Sequence, residues 1–99
     1  MRFPQRAYLE CEDIGPCMFS SERNLRIKMQ NGKNLDGFFD SRNIEEGLGL
    51  KVTALAESGD STKVALPQNE TYGEEQRADA QYWVRKRDVT YEEELERPN

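Results

Sequence analysis

The chain has 99 residues, 35% of them hydrophobic and 33% charged, with a formal net charge of −5 and no histidine. A single domain of this size buries roughly 60 to 65% of its unfolded surface, enough for one modest core. The acidic balance argues against general nucleic-acid or anionic-membrane binding, and the missing imidazole argues against Ser-His or Cys-His catalysis and His-containing zinc sites.

No run of about 20 apolar residues is present, so no membrane span is expected. The opening MRFPQRAYLECED carries charges where a signal peptide needs an apolar run of about seven or more. A soluble, cytoplasmic protein is the expectation. The two cysteines, Cys11 and Cys17, fit it, being too few for a disulfide scaffold.

In chain order, residues 1–6 read as a loose lead-in containing Pro4, which cannot donate to a sheet. Ala7–Cys11 alternates as a short first strand, and Asp13-Ile14-Gly15-Pro16 is turn chemistry. Cys17–Phe19 begins a second extended piece, and Ser20–Asn24 is a polar connection.

Leu25 to Phe39 fixes both a hairpin and its register. Leu25, Ile27 and Met29 alternate with Arg26, Lys28 and Gln30, and Asn31-Gly32 follows as a turn. A two-residue loop would set Met29 opposite Asn34 and Ile27 opposite Asp36, pairing apolar with polar. A three-residue loop, Gln30-Asn31-Gly32 with Gly32 left-handed, sets Ile27 opposite Leu35 and Arg26 opposite Asp36. The second register makes one face apolar and is the one expected. Leu25, Ile27, Met29, Leu35 and Phe39 then point inward and Phe38 points out.

Asp40–Asn43 ends the hairpin, Ile44 is placed as a plug over the end of a barrel, and Glu45-Glu46-Gly47 turns the chain. Leu48–Ala56 and Thr62–Leu66 form a second hairpin about Ser58-Gly59-Asp60-Ser61, with Leu48, Leu50, Val52, Ala54, Val64 and Leu66 inward. Pro67 stops it. Gln68–Ala80 is polar; Thr71 and Glu74 have capping-box spacing, but no apolar stripe anchors a helix, so a solvated loop is preferred. Tyr82–Arg87 is the last strand, Asp88–Tyr91 a tight turn, and residues 92–99 a disordered acidic tail. The chain thus reads as one all-β domain over 7–91. Five or six short strands suggest a small barrel of Src-homology-three-like arrangement, a fold-level analogy that carries no function.

Three groups of residues bear on function. Cys11 and Cys17 make C-x5-C across a Gly-Pro turn, a candidate redox pair, although free cysteines commonly serve as small buried apolar residues. The carboxylates Glu10, Glu12, Asp13, Asp36, Asp40, Glu45 and Glu46 match no calcium-loop spacing and read as solvated turn residues. Gly47 and Gly49 lack the third glycine of a phosphate loop. Trp83-Val84-Arg85-Lys86-Arg87 combines an aromatic with the basic run of an acidic chain. With Tyr82 and Val84 turned inward, Trp83 and Arg85 share the outer face.

The expectation is therefore a non-enzymatic module that uses no metal or cofactor and binds another protein through Phe38, Trp83, Arg85 and Tyr91. Single-stranded nucleic acid held by Arg85-Lys86-Arg87, with a base stacked on Trp83, is the alternative, disfavoured by net charge. Thiol redox regulation through Cys11 and Cys17 is the third reading.

Overall fold

A computed structural model describes residues 2–15, 21–67 and 81–96. Its strands are β1 (Gln5–Leu9), β2 (Glu12–Gly15), β3 (Glu22–Lys28), β4 (Asn34–Asp40), β5 (Ile44–Glu45), β6 (Gly49–Ser58), β7 (Ser61–Ala65), β8 (Gln81–Arg85) and β9 (Val89–Tyr91), followed by a short helix, α1 (Glu92–Glu96). The pairings make two antiparallel sheets. The larger runs β8-β7-β6-β1-β9 with β5 added to β6, and the smaller runs β2-β3-β4. A single bridge between Met29 and Val84 joins the tip of the first hairpin to β8.

The first hairpin takes the register that its apolar face demands. Arg26 faces Asp36, Ile27 faces Leu35 and Lys28 faces Asn34. The Met29 N–H donates to the Lys33 carbonyl, closing a three-residue loop in which Gly32 has φ +87. Leu25, Ile27 and Phe39 are buried, with Met29 and Leu35 packed against them.

The second hairpin turns on Gly59 and Asp60, with Ser58 opposite Ser61. Leu50, Val52, Ala54, Val64 and Leu66 enter the same core as Ala7 and Leu9 of β1. Each large aliphatic side chain buried in this way contributes roughly 1.5–3 kcal/mol. Gly49 has φ +117 at the start of β6, and a methyl group there would run into the Leu9 carbonyl. Glycine at this position thus serves the close passage of β6 across the end of β1.

Several expectations are corrected. Asp13–Gly15 is strand, not turn: Ile14 is an extra residue in the β2–β3 ladder, and the Gly15 N–H donates to Asp13 Oδ1, so the turn chemistry serves a bulge. Glu22–Asn24 continue β3 opposite Phe38–Asp40 instead of forming a loop. The lead-in is shorter than expected, since Gln5 and Arg6 pair with β6. Ile44 lies in β5 opposite Leu50, half-buried against the core.

The last strand ends at Arg85, and Lys86–Asp88 form a 3-10 turn. Val89–Tyr91 then pair with β1 in place of a tight turn. Three residues are too few for alternation to be read from the sequence. Glu92–Glu96 are helical, with acids in the first turn where the helix dipole favours them. Cys17–Phe19, the Thr71/Glu74 capping box and the solvated loop expected over 68–80 lie outside the described residues, as do 97–99.

Candidate binding surface

β8 places the residues of interest by simple alternation. Val84 is fully buried and Tyr82 packs against the core, so Trp83 and Arg85 turn outward. Trp83 is 40% exposed, one of the exposed large hydrophobic side chains of the described residues. Its carbonyl accepts from the Gln30 N–H at 3.0 Å, so the first hairpin's tip lies against β8 at this point. Beside it a groove of about 520 Å³ is lined by Met29, Gln30, Tyr82 and Trp83, with Ser58 and Ser61 at its edge. Its lining mixes apolar and aromatic side chains with hydroxyl and amide groups.

The basic run is held down rather than presented. Arg85 Nε bonds Asp88 Oδ2 at 2.8 Å, and Lys86 Nζ lies 3.4 Å from Glu57 Oε1. The Lys86 N–H also donates to the Asp60 carbonyl at 2.7 Å. Of the three, only Arg87 is exposed with no ion pair among the described residues. The run therefore braces the 3-10 turn between β8 and β9.

Two of the four expected docking residues do not join Trp83. Tyr91 is 4% exposed and belongs to the core, which overturns its placement on the outer surface. Its ring lies 6.4 Å from that of Phe3, and its hydroxyl donates to Glu57 Oε2. Burial first, and then the Glu57 hydrogen bond, push the Tyr91 hydroxyl above its ordinary value. The same hydrogen bond, aided by Lys86, holds Glu57 below the usual carboxylate range. Thr62 Oγ is buried in this region without a hydrogen-bond partner among the described residues.

Phe38 is half-buried on the smaller sheet, opposite Asn24. Asn24 lies five residues along β3 from the Met29 that bridges β8, about 17 Å at the ordinary strand rise. Phe38 and Trp83 thus belong to different surfaces.

The other candidates take structural positions. Cys11 Sγ donates to the Leu9 carbonyl at 3.2 Å, and burial pushes its thiol up to about 12. A thiol in that state yields little thiolate, the nucleophilic form. Asp36 takes a two-pronged bond from Arg26 at 2.9 and 3.0 Å, and Asp40 caps the 3-10 turn by accepting from the Arg42 N–H. Both carboxyls are held below their ordinary values by these arginines. Glu45 and Glu46 are exposed. Glu10 and Glu12 line a shallow cleft at the junction of the sheets, together with Cys11, Arg26 and Lys28.

Some outward residues escaped the sequence reading. Tyr8 stands opposite Lys51, Arg6 opposite Thr53, and Lys63 opposite Trp83, all on the outer face of the larger sheet. Their signal lay in the strand phases: once Ala7, Val52 and Val64 are inward, their neighbours must point out. The chain matches no protein-family model, no curated protein and no solved structure, so the work of this surface has to be argued from its own residues.

Proposed function

We propose that the chain is a non-enzymatic binding module that receives a macromolecular partner on the outer face of its larger sheet. The observation that carries this reading is the outward Trp83, held on a strand whose alternate residues are core. A fixed, half-exposed indole beside an apolar groove offers large contact area at little cost in ordering. The partner, which the sequence led us to expect as another protein, would meet Trp83 and the Met29–Tyr82 groove, without Phe38 or Tyr91. The face itself, not the partner's class, is what this reading assigns.

The same reading takes the two sheets as a partly open small barrel. It is supported by the short link from β1 to β2, by the Met29–Val84 bridge and by the core that both sheets share. No helix among the described residues is long and apolar enough to cross a membrane. A cytoplasmic location remains part of the proposal, on the acidic composition and the low cysteine content. The buried Cys11 thiol weighs against redox regulation at that residue. The ion pairs of Arg85 and Lys86 weigh against a phosphate contact by the basic run.

Site-specific photo-crosslinking in cells tests the assignment. Benzoylphenylalanine at position 83 should give a discrete intermolecular adduct, and at position 38 none. Adducts from position 38 alone, or from neither, would overturn the choice of surface.

A further inference from the structure

The outer face of the larger sheet repeats one arrangement. Each of its aromatic side chains stands directly opposite a lysine on the neighbouring strand: Tyr8 opposite Lys51, and Trp83 opposite Lys63. The row between them runs Arg6, Thr53, Ala65, Gln81 across four strands. Its middle, Thr53 and Ala65, is formed by small side chains between the two aromatic–lysine pairs.

The described cations fall into two groups, those held by a carboxylate and those without an ion pair among the described residues. The second includes Arg23, Lys28, Lys33 and Arg87 off this face as well as three on it. Arg26, Arg42, Arg85 and Lys86 are all ion-paired. Arg6, Lys51 and Lys63 have no ion pair among the described residues, and Arg6 and Lys51 are exposed. In the paired rows from Tyr8–Lys51 to Ser61–Arg85 no carboxylate points outward. Arg6, Tyr8 and Lys51 line a cleft of about 460 Å³ together with one carboxylate, Glu92. Among the other described acids, Glu45 and Glu46 lie in a turn, Glu12 and Asp13 on β2, Asp36 and Asp40 on β4, and Glu93 and Glu94 further along α1. A chain of net charge −5 thus keeps a cationic, aromatic face. Exposed charges act over about 10 Å at 0.1 M salt, so this local field, more than the total charge, governs what docks here.

We propose that this face binds single-stranded nucleic acid, with bases stacked on Tyr8 and Trp83 and phosphates met by Arg6, Lys51 and Lys63. The inference rests on the reading of the face as the docking surface and names its partner class. Tyr8 and Trp83 lie three strands and two rows apart, roughly 20 Å, a span suited to a site of about 4 or more nucleotides. Each base has a π-face that a ring can hold, and each intervening phosphate meets a lysine or arginine. An acidic peptide suits the face less well. β1, β6 and β7 are each paired on both sides, so a peptide cannot be added as a further strand there.

Trp83 is the sole tryptophan of the chain and reports on its own site. The full chain is titrated with 12-nucleotide oligothymidylate and oligouridylate, with a 12-residue polyglutamate as the competing class. Saturable quenching by the oligonucleotides is expected, weakening about twenty-fold between 50 and 200 mM salt, as three neutralised phosphates require. Lys51→Ala and Lys63→Ala should each reduce the salt slope by about 0.7, while Lys33→Ala in the hairpin loop leaves it unchanged. Glu92→Gln should tighten binding about twofold, on the scale of one screened surface charge. Absence of quenching at 50 mM salt, or equal binding of duplex DNA, would overturn the inference. Quenching by polyglutamate alone would also overturn it but would leave the docking face standing. A missing adduct at position 83 removes the face itself.

Discussion

At Tyr91 the ring is buried and the hydroxyl still needs a partner, which Glu57 supplies. Both groups are shifted by the contact, in opposite directions. Glu57 is held below its ordinary value, so its contribution is present at neutral pH and is lost as pH falls below the carboxylate range, from about 4.5 downward. Tyr91 is raised, so its contribution is complete below about pH 10 and is lost as pH climbs above that. Tyr91→Phe removes the bond, the alkaline dependence and the larger part of the acid one, Lys86 still favouring the Glu57 carboxylate. Urea unfolding of this variant should show a loss of about 1–2 kcal/mol at pH 7, with flatter acid and alkaline limbs than the parent. An unchanged stability profile would mean that the pair contributes nothing. The sequence gives no hint of this contact, because the two residues are 34 apart and Glu57 lies beyond an irregularity in β6.

Among the elements, the first hairpin is the one most legible in the sequence. Its register follows from the requirement that Ile27 meet Leu35, and the Arg26–Asp36 pair follows from the register. The two pairs are not equal in weight. Arg26 and Asp36 are exposed, and solvent screening leaves an exposed ion pair little net weight. Ile27 is fully buried, and its truncation leaves a cavity. Ile27→Ala should therefore lower unfolding free energy by about 2–5 kcal/mol, and Asp36→Ala by far less, measured by denaturant unfolding. Equal losses would mean that the ion pair, not the apolar face, holds the register. The shorter elements were illegible for a physical reason. β5 and β9 span two and three residues, too few to display a period of two, and they exist because a long neighbouring strand offers them a free edge. The bulge at Ile14 used residues that turns also use, so composition there pointed to the wrong local structure.

For the molecule as a whole, the two-sheet arrangement decides which outward residues can act together. Phe38 and Trp83 both follow the outward phase of their strands, but they belong to different sheets. Local alternation gave each orientation correctly and could not give their separation. Arg6, Tyr8, Lys51 and Lys63 converge on one face only because β1, β6, β7 and β8 are neighbours in the larger sheet. Strand order depends on long-range pairing, which no short stretch of this chain encodes. Net charge misled in a related way. It averages over the whole surface and hides the cations Arg6, Lys51 and Lys63, unpaired among the described residues, that share one face.

The proposed docking face depends most on the indole of Trp83 meeting solvent on the folded sheet. Acrylamide quenching of its fluorescence, in the native chain and in urea, measures this directly. The native protein should give a red-shifted emission and a quenching constant at least about half that of the unfolded chain, in keeping with its 40% exposure. A blue-shifted, shielded native signal that becomes quenchable only on unfolding would contradict the account, because the proposed face would then have lost its central anchor.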